Sequence, residues 1–310
     1  MGQPLPPGSP VVSNTDTPYV FNREEIRNNG YLSLQDVWTI TPQWELTTGI
    51  RYDNYSDFGH TINPRIALVW QPRLNFTSKL LYGRAFRAPS FTELYAINNP
   101  VALGNPDLKP ETIRSLELAL DYRADRNVHL TTNLFTYGIK NKIIISPDPD
   151  GKTNTAKNIG NWKGYGAEFE ARWKINRRSS LLANYSYARC TDEGTHNDIG
   201  YYPRHSTYLR ADWLLLPNWY LNIQTNWIMS RQRTLEDTRL PISDYATADL
   251  TLRYKKLKLG RFDIAFSVRN LFNADARESS LGPDSRGVIN IPDDLPLAGR
   301  SYFIELRYKF

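Results

Sequence analysis

The sequence contains no apolar run long enough to form a membrane-spanning helix. Its longest uninterrupted apolar run, Ile66–Trp70, falls far short of the roughly 20 residues that such a helix requires. The mean hydropathy is −0.53, although hydrophobic residues make up 40% of the chain. A helical membrane protein is therefore excluded.

Cysteine and histidine are scarce. Cys190 is the single cysteine among 310 residues, so an intrachain disulfide is excluded and the redox compartment stays undetermined. The four histidines are scattered, and no two have the close spacing of a metal-ligand pair. We therefore expect no metal site and no cofactor. Residues 1–20 lack both a basic start and an apolar core, so we expect no signal peptide there.

A concentrated basic surface is also missing, although the formal net charge is +6 and the pI is about 9.2. Lys and Arg are spread over turns and alternate strand positions, which argues against a nucleic-acid partner. A nucleophile beside a base is missing too. Ser206 follows His205, but adjacent strand residues point to opposite faces. We expect neither catalytic residues nor enzymatic activity. The alternative is an enzyme built on a small barrel.

What the sequence does contain is alternation of apolar and polar residues along most of its length. In residues 115–123, SLELALDYR, Leu116 and Leu118 share one face while Glu117 and Asp121 occupy the other. Period-2 alternation predicts strands, and helical spacing never persists beyond a turn. We count about thirteen strands, most of them near the roughly 9–11 residues that cross a bilayer at a tilt.

The connections between these strands are predicted to alternate between short and long. Every second pair of consecutive strands is connected by a short polar link of a few residues. We expect long loops near 54–61, 86–111, 146–161, 191–205, 232–243 and 273–299. This order is typical of an antiparallel meander with tight turns at one edge and long loops at the other.

A soluble β-sandwich would also alternate, but aromatic residues at the strand ends favour a membrane barrel. Girdles of Tyr and Trp mark the two membrane interfaces of such barrels. The aromatic residues at predicted strand ends are Trp44, Tyr52, Trp70, Tyr122, Trp173, Trp213, Trp219, Tyr254 and Tyr308. We predict an all-β, antiparallel transmembrane β-barrel. Its sheet has to close, because backbone groups at an open edge would find no water to hydrogen-bond in lipid.

Several stretches resemble TonB-dependent outer-membrane receptors. They are QDVWTITPQWELTTGIRYDNYSDFG (35–59), YGRAFRAPSFTELY (82–95), GNPDLKPE (104–111), NIGNWKGYGAEFEARW (158–173), VRNLFN (268–273) and the closing strand RSYFIELRYKF (300–310). The resemblance covers residues 31–310. Residues 1–30 are expected to be an irregular N-terminal segment, either a loop or the remnant of a preceding strand.

The resemblance implies a barrel of about 22 strands filled by an N-terminal plug domain. Against that pattern the chain is expected to be the C-terminal part of the barrel, without the plug and without about nine strands. The implied location is the outer membrane of a Gram-negative cell, in contact with its lipid and lipopolysaccharide. The implied partners are a ferric siderophore, the TonB complex acting through the plug, and the barrel-assembly machinery, which would read Tyr308 and Phe310.

Candidate ligand-binding residues lie in or beside two predicted loops. Arginine pairs with anionic chelates bidentately and aromatic rings stack on them. The candidates are Arg84, Arg87, Tyr95, Tyr201, Tyr202 and Arg204. For the first two, an ion pair with a lumen carboxylate such as Glu93 or Glu117 is the alternative role. For residues 201–206, an interface girdle is the alternative. Most of the two motifs around 82–111 is expected to shape the loop itself.

The resemblance also predicts a class of ligand. Haem receptors of this family typically carry a histidine between the two motifs, and the interval 90–104 contains none. A ferric siderophore is therefore predicted rather than haem. Cobalamin, another TonB-dependent substrate and passive diffusion through a porin are the alternatives.

Overall fold

The alternating segments fold into strands, as the sequence predicts. The structure, a computed structural model, describes residues 8, 20–97, 102–149, 151–200, 202–234, 237–256, 261–283 and 288–308. Its elements in chain order are β1 (Asn29–Thr41), β2 (Trp44–Tyr55), β3 (Gly59–Arg73), β4 (Phe76–Arg87), α1 (Phe91–Tyr95), β5 (Glu111–Arg123), β6 (Val128–Pro147), β7 (Asn154–Lys174), β8 (Ser179–Asp192), β9 (Pro203–Leu216), β10 (Trp219–Arg231), β11 (Tyr245–Lys256), β12 (Phe262–Arg269), β13 (Arg277–Glu278), β14 (Leu295–Pro296) and β15 (Ser301–Tyr308).

Thirteen of these strands form one sheet whose order follows the chain, from β1 through β12 and then β15. Neighbouring strands pair antiparallel throughout, and β13 and β14 form a separate small pair inside the last long loop. The all-β antiparallel fold and the strand count are thus confirmed. Among the described residues no helix has the length and apolar character to span a membrane.

The register sorts the side chains into two faces. Leu118 pairs with Leu80 on one side and Leu134 on the other, which gives an apolar row across β4, β5 and β6. Leu250 pairs with Ile223 in the same way. We call this face outward, because its large apolar side chains are widely exposed. The opposite, inward face is polar and includes a cavity of about 630 Å³ lined by Glu168, Glu170, Asn184 and Tyr208 among others.

An aromatic girdle follows the edge of the sheet that carries the short turns, which we call the turn end. The rings of Trp44 and Trp70 stack with centroids 5.5 Å apart, and those of Trp219 and Tyr254 lie 5.0 Å apart. Further aromatic residues of the girdle are Phe76, Tyr122, Trp173, Trp213, Phe262 and Tyr308. Eight of the nine predicted aromatic strand ends therefore lie in one band, as expected at a membrane interface, whereas Tyr52 pairs with Ile62 near the opposite edge of the sheet.

Two of the six expected long loops are much shorter in the structure. The loop expected at 54–61 is a turn over residues 56–58, because β2 continues to Tyr55 and β3 already begins at Gly59. Gly59 has φ +89°, a conformation that glycine adopts without strain and that closes this tight turn. The prediction of a long loop here is wrong.

The loop expected at 146–161 is likewise mostly strand. β6 and β7 continue as one long hairpin, and only residues 148–153 connect them. The carboxylate of Asp148 accepts hydrogen bonds from the hydroxyls of Thr153 (2.8 Å) and Thr155 (2.7 Å), which ties the two ends of the connection together. These local bonds let the strands extend beyond the length that crosses a bilayer.

Both edges of the sheet are open within the described residues. β1 pairs only with β2, β15 pairs only with β12, and every residue of β1 is exposed. Thirteen antiparallel strands begin and end in the same direction, so these edges could meet only by a parallel pairing. The closure that a bilayer requires is not achieved within this part of the chain.

Candidate functional site

The longer connections all leave the sheet at one edge, which we call the loop end. They follow β4, β6, β8, β10 and β12. Transmembrane barrels carry their longer loops on the extracellular side. Those candidate ligand-binding residues that the structure describes, Arg84, Arg87, Tyr95, Tyr202 and Arg204, all lie near this end.

The segment after β4 folds back on itself through a capped helical turn. The Ser90 hydroxyl accepts a hydrogen bond from the Glu93 backbone N–H at 3.2 Å, and the Glu93 carboxylate accepts one from the Ser90 backbone N–H at 2.7 Å. This reciprocal pair is a capping box, and its sequence signature is a serine followed three residues later by glutamate. The cap fixes where α1 starts and which way Glu93 faces.

Arg87 lies between two carboxylates at the end of β4. Its guanidinium is 2.9 Å from a Glu93 carboxylate oxygen and 2.8 Å from a Glu111 carboxylate oxygen. Lys142 reaches Glu111 as well, at 3.1 Å. Burial alone would raise the pKa of Glu93, but hydrogen bonds from Arg87 and Ser90 lower it. The ion pair with Glu93, which the sequence left open as an alternative role for Arg87, is present, whereas Glu111 was not predicted.

A small apolar cluster holds the same segment against the β6–β7 hairpin. Leu94 and Leu108, 1% and 2% exposed, pack with Ile143 and Ala156. Gly104 lies so close to α1 that an added Cβ would be 2.6 Å from three backbone atoms of residues 94–96. We call residues 87–96 and 104–111 the loop anchor. Their packing agrees with the expectation that most of these two motifs shape the loop.

The structure places the other candidates from this region differently. Tyr95 ends α1 and packs against the apolar cluster, and burial raises the pKa of its hydroxyl. Arg84 pairs with Arg114 across β4 and β5, and its side chain lies on the outward face, as that of Tyr82 does. Arg87 is three residues further along the strand and so lies on the inward face. The two arginines predicted as a pair therefore point to opposite sides of the sheet.

Tyr202 lies in the connection between β8 and β9, and Arg204 is the second residue of β9. Arg204 donates from Nε to the Asp198 carboxylate at 3.0 Å. Burial raises the pKa of Tyr202. Tyr201, and also Phe310 of the predicted assembly signal, lie outside the described residues. Within the described residues, no hydrogen bond or ion pair connects Arg204 or Tyr202 with the loop anchor.

A second charged cluster, which we call the loop lock, was not predicted from the sequence. It joins the connection after β10 to the connection after β12. Arg233 bonds the Asp294 carboxylate at 2.5 Å, and Arg239 bonds the Asp237 carboxylate at 2.6 Å. All four side chains are largely buried. The hydrogen bond from Arg233 outweighs burial and lowers the pKa of Asp294 to about 2.

Comparison with known families agrees with this architecture. Residues 2–271 match the family described as TonB dependent receptor-like, beta-barrel. An iron-regulated outer membrane virulence protein of Vibrio cholerae is 27% identical over 225 residues, covering 67% of this chain and 33% of that protein. The ferric enterobactin receptor PirA of Pseudomonas aeruginosa is 29% identical over 238 residues, covering 67% of this chain and 30% of that protein.

A vitamin B12 transporter, BtuB of Vibrio cholerae, is also similar, with 25% identity over 269 residues, 86% of this chain and 40% of that protein. Among solved structures, a mutant of the ferric enterobactin receptor PfeA of Pseudomonas aeruginosa shares the fold. Its TM-score is 0.79 at 20% identity, covering 92% of this chain and 46% of that one. The chain thus spans less than half the length of the proteins it matches.

The match to the family extends over most of the chain, and the sheet order, the antiparallel register and the aromatic girdle fit its barrel. Its members are receptors and transporters rather than enzymes. The chain belongs to the TonB-dependent receptor family and forms part of an outer-membrane β-barrel.

Proposed function

We propose that this chain is the C-terminal part of the barrel of a receptor that takes up a ferric siderophore across the outer membrane. The observation that carries the proposal is the similarity to a receptor for ferric enterobactin. In the proposed mechanism the ligand binds between the loops at the loop end. The TonB complex then acts on a plug domain, and the ligand passes along the polar inward face.

The placement of histidines supports an iron chelate rather than haem. The interval 90–104, which overlaps and joins the two halves of the loop anchor, contains no histidine that could ligate haem iron. Two other histidines have partners elsewhere, since His129 lies 2.7 Å from Asp121 and His205 lies 2.7 Å from the Tyr185 hydroxyl. Neither is free to serve as an iron ligand in that loop.

We propose separate roles for the predicted ligand-binding residues. Arg87 acts as a positioning residue, because two carboxylates already occupy its guanidinium and hold α1 in place. Arg204, with Tyr201 and Tyr202 before it, is the better candidate for direct contact, since arginine and aromatic side chains suit anionic, aromatic chelates. Tyr95 supports ligand binding indirectly, because it packs within the loop anchor. A direct role for Arg84 stays a sequence prediction that its outward row does not favour.

Growth assays with the complete receptor test the proposal. A strain that depends on this receptor should grow on at least one ferric siderophore as sole iron source and should fail to grow on haemin. Robust growth on haemin without any response to siderophores would overturn the assignment.

Cobalamin is the second candidate, and the similarity to a vitamin B12 transporter favours it specifically. Cobalamin needs neither a histidine ligand nor a basic site. The same strain, made auxotrophic for cobalamin, should not depend on this receptor at limiting cobalamin. Dependence on it would replace the siderophore proposal with this one.

A further inference from the structure

Residues 20–28 lead into β1 at the loop end and lie against the loop anchor. Asn22 and Ala96 form an antiparallel bridge between the two segments. The backbone N–H of Arg23 donates to the carbonyl of Tyr95 at 3.3 Å. The segment before β1 is therefore paired, backbone to backbone, with the end of α1.

One side chain of this segment, Arg27, bonds two other parts of the loop end. Its Nε donates to the Asp57 carboxylate at 2.6 Å, in the turn between β2 and β3, and its Nη2 donates to the Pro89 carbonyl at 2.8 Å. Pro89 directly precedes Ser90, the residue that caps α1. Arg27 thus holds the backbone at the point where α1 begins.

The guanidinium group of Arg27 also lies among three aromatic rings. Its Cζ is 4.8 Å from the ring centre of Phe91 in α1, 5.4 Å from that of Phe58 and 5.9 Å from that of Tyr55. A cation is attracted to the electron-rich face of an aromatic ring. Tyr55 ends β2 and Phe58 lies in the turn after it, so the same planar group contacts both this hairpin and α1.

Burial makes these contacts of Arg27 costly to break. The side chains of Arg27 and Asp57 are only 16% and 7% exposed, and Pro89 is fully buried. Removing one partner of a buried ion pair leaves the other charge uncompensated, and Asp57 has no second cation among the described residues. The Pro89 carbonyl would lose its side-chain donor at the same time.

We propose that Arg27 couples the segment before β1 to α1, so that residues 20–28 and 88–97 open and close as one unit at the loop end. Arg27 and Pro89 are 62 residues apart in the sequence, so this contact joins two separate connections of the barrel. Arg27 is then a second positioning residue, besides Arg87, for the ligand that binds between the loops. This last step rests on the proposed function, whereas the coupling itself does not.

Hydrogen exchange of the complete receptor in mild detergent, followed by mass spectrometry of its peptides, tests the coupling. Arg27→Gln should accelerate exchange about tenfold in both residues 20–28 and residues 88–97, as the loss of hydrogen bonds from a charged group predicts. Exchange in β8 should be unchanged. The matched control is Arg23→Gln, because the Arg23 side chain is exposed and has no hydrogen bond or ion pair with a residue that the structure describes.

Two further variants separate coupling from a general loss of stability. Glu93→Gln weakens the ion pair that holds α1, and Glu93 has no hydrogen bond or ion pair with residues 20–28 in the described structure. This variant should accelerate exchange in residues 20–28, and the effect should disappear when Arg27→Gln is also present. Arg27→Lys should behave like Arg27→Gln, because an ammonium group lacks the planar fork that bonds two partners and stacks on rings.

Three results would overturn the coupling. They are acceleration confined to one of the two segments, full protection in Arg27→Lys, and an effect of Glu93→Gln on residues 20–28 that persists without Arg27.

Ligand binding is measured on the same variants with ferric enterobactin and with the other ferric siderophores of the growth assays. The affinity of whichever chelate the unmodified receptor binds should fall about tenfold in Arg27→Gln. Unchanged affinity beside accelerated exchange would overturn the positioning role. Failure of the unmodified receptor to bind any ferric siderophore would contradict the proposed function instead, because exchange measures the coupling without ligand.

Discussion

At the scale of single residues, the loop anchor shows which features a sequence can and cannot predict. The Ser90–Glu93 capping box is a local pattern, and Glu93 was among the predicted partners of Arg87. Glu111 was not, although it ends the second motif, because the backbone must fold back before that carboxylate meets Arg87. Arg233 and Asp294 are 61 residues apart, and no periodicity predicts such a pair.

Gly104→Ala tests the close packing of the anchor. Its Cβ would lie 2.6 Å from backbone that cannot move without displacing α1. We expect a loss of about 1–3 kcal/mol of stability in the anchor, as is usual for overpacking. Faster limited proteolysis near residues 88–110 would report it. Gly83→Ala is the control, because there a Cβ meets only the Ser115 hydroxyl at 3.9 Å, and equal damage from both would contradict the account.

Arg87→Ala tests whether this arginine positions the loop. Its removal leaves Glu93 and Glu111 close together without a cation between them, so α1 should detach and siderophore affinity should fall about tenfold, or about 1.4 kcal/mol. Arg87→Lys should restore part of the affinity. Proteolysis of residues 88–110 should accelerate in the alanine variant. A loss of affinity with an intact loop would show direct ligand contact instead.

At the scale of elements, alternation predicted the strands, their faces and the aromatic girdle, because a sheet with two different environments imposes period 2 on every strand. It did not predict the ends of β2, β3, β6 and β7. Gly59 closes a tight turn through its positive φ, and the Asp148 carboxylate joins the two ends of a hairpin connection by hydrogen bonds. In the sequence, glycine and aspartate are also typical of long loops, so these two turns could not be told from loops.

Arginine substitutions test the assignment of the two faces. Leu118, Leu250 and Leu306 lie on outward rows, so arginine at any of them should cost about 2–4 kcal/mol near the bilayer midplane. Arginine at Thr251 or Ser301, on the inward face, should cost much less. The measurement is folding of the complete receptor into liposomes. Equal loss from both sets would contradict the orientation.

Acid should open the loop lock. The pKa of Asp294 is about 2 in the folded protein, below its ordinary value of 3.8. A lowered folded pKa contributes stability that is present above the ordinary value and is lost as the pH falls towards the folded value. Hydrogen exchange of residues 237–244, corrected for its intrinsic pH dependence, should therefore accelerate between about pH 4 and pH 2. Asp294→Asn should already exchange faster at neutral pH, and protection unchanged by acid would refute the role of the lock.

At the scale of the whole molecule, the main feature is that both edges of the described sheet are open. Both β1 and β15 leave backbone N–H and C=O groups unpaired along one side in the described structure. Each such group costs several kcal/mol in hydrocarbon. Expressed alone, residues 1–310 should aggregate or assemble irregularly. A monomeric, protease-resistant species with a heat-dependent shift on gels would contradict this expectation.

Binding of ⁵⁵Fe-labelled chelates tests whether this barrel serves uptake of a ferric siderophore. Outer membranes from cells with and without the complete receptor are incubated with ⁵⁵Fe-enterobactin and with ⁵⁵Fe-haemin, and other ferric siderophores are added as competitors. We expect saturable, receptor-dependent binding of at least one ferric siderophore and no binding of haemin. Receptor-dependent binding of haemin with no siderophore bound would contradict it.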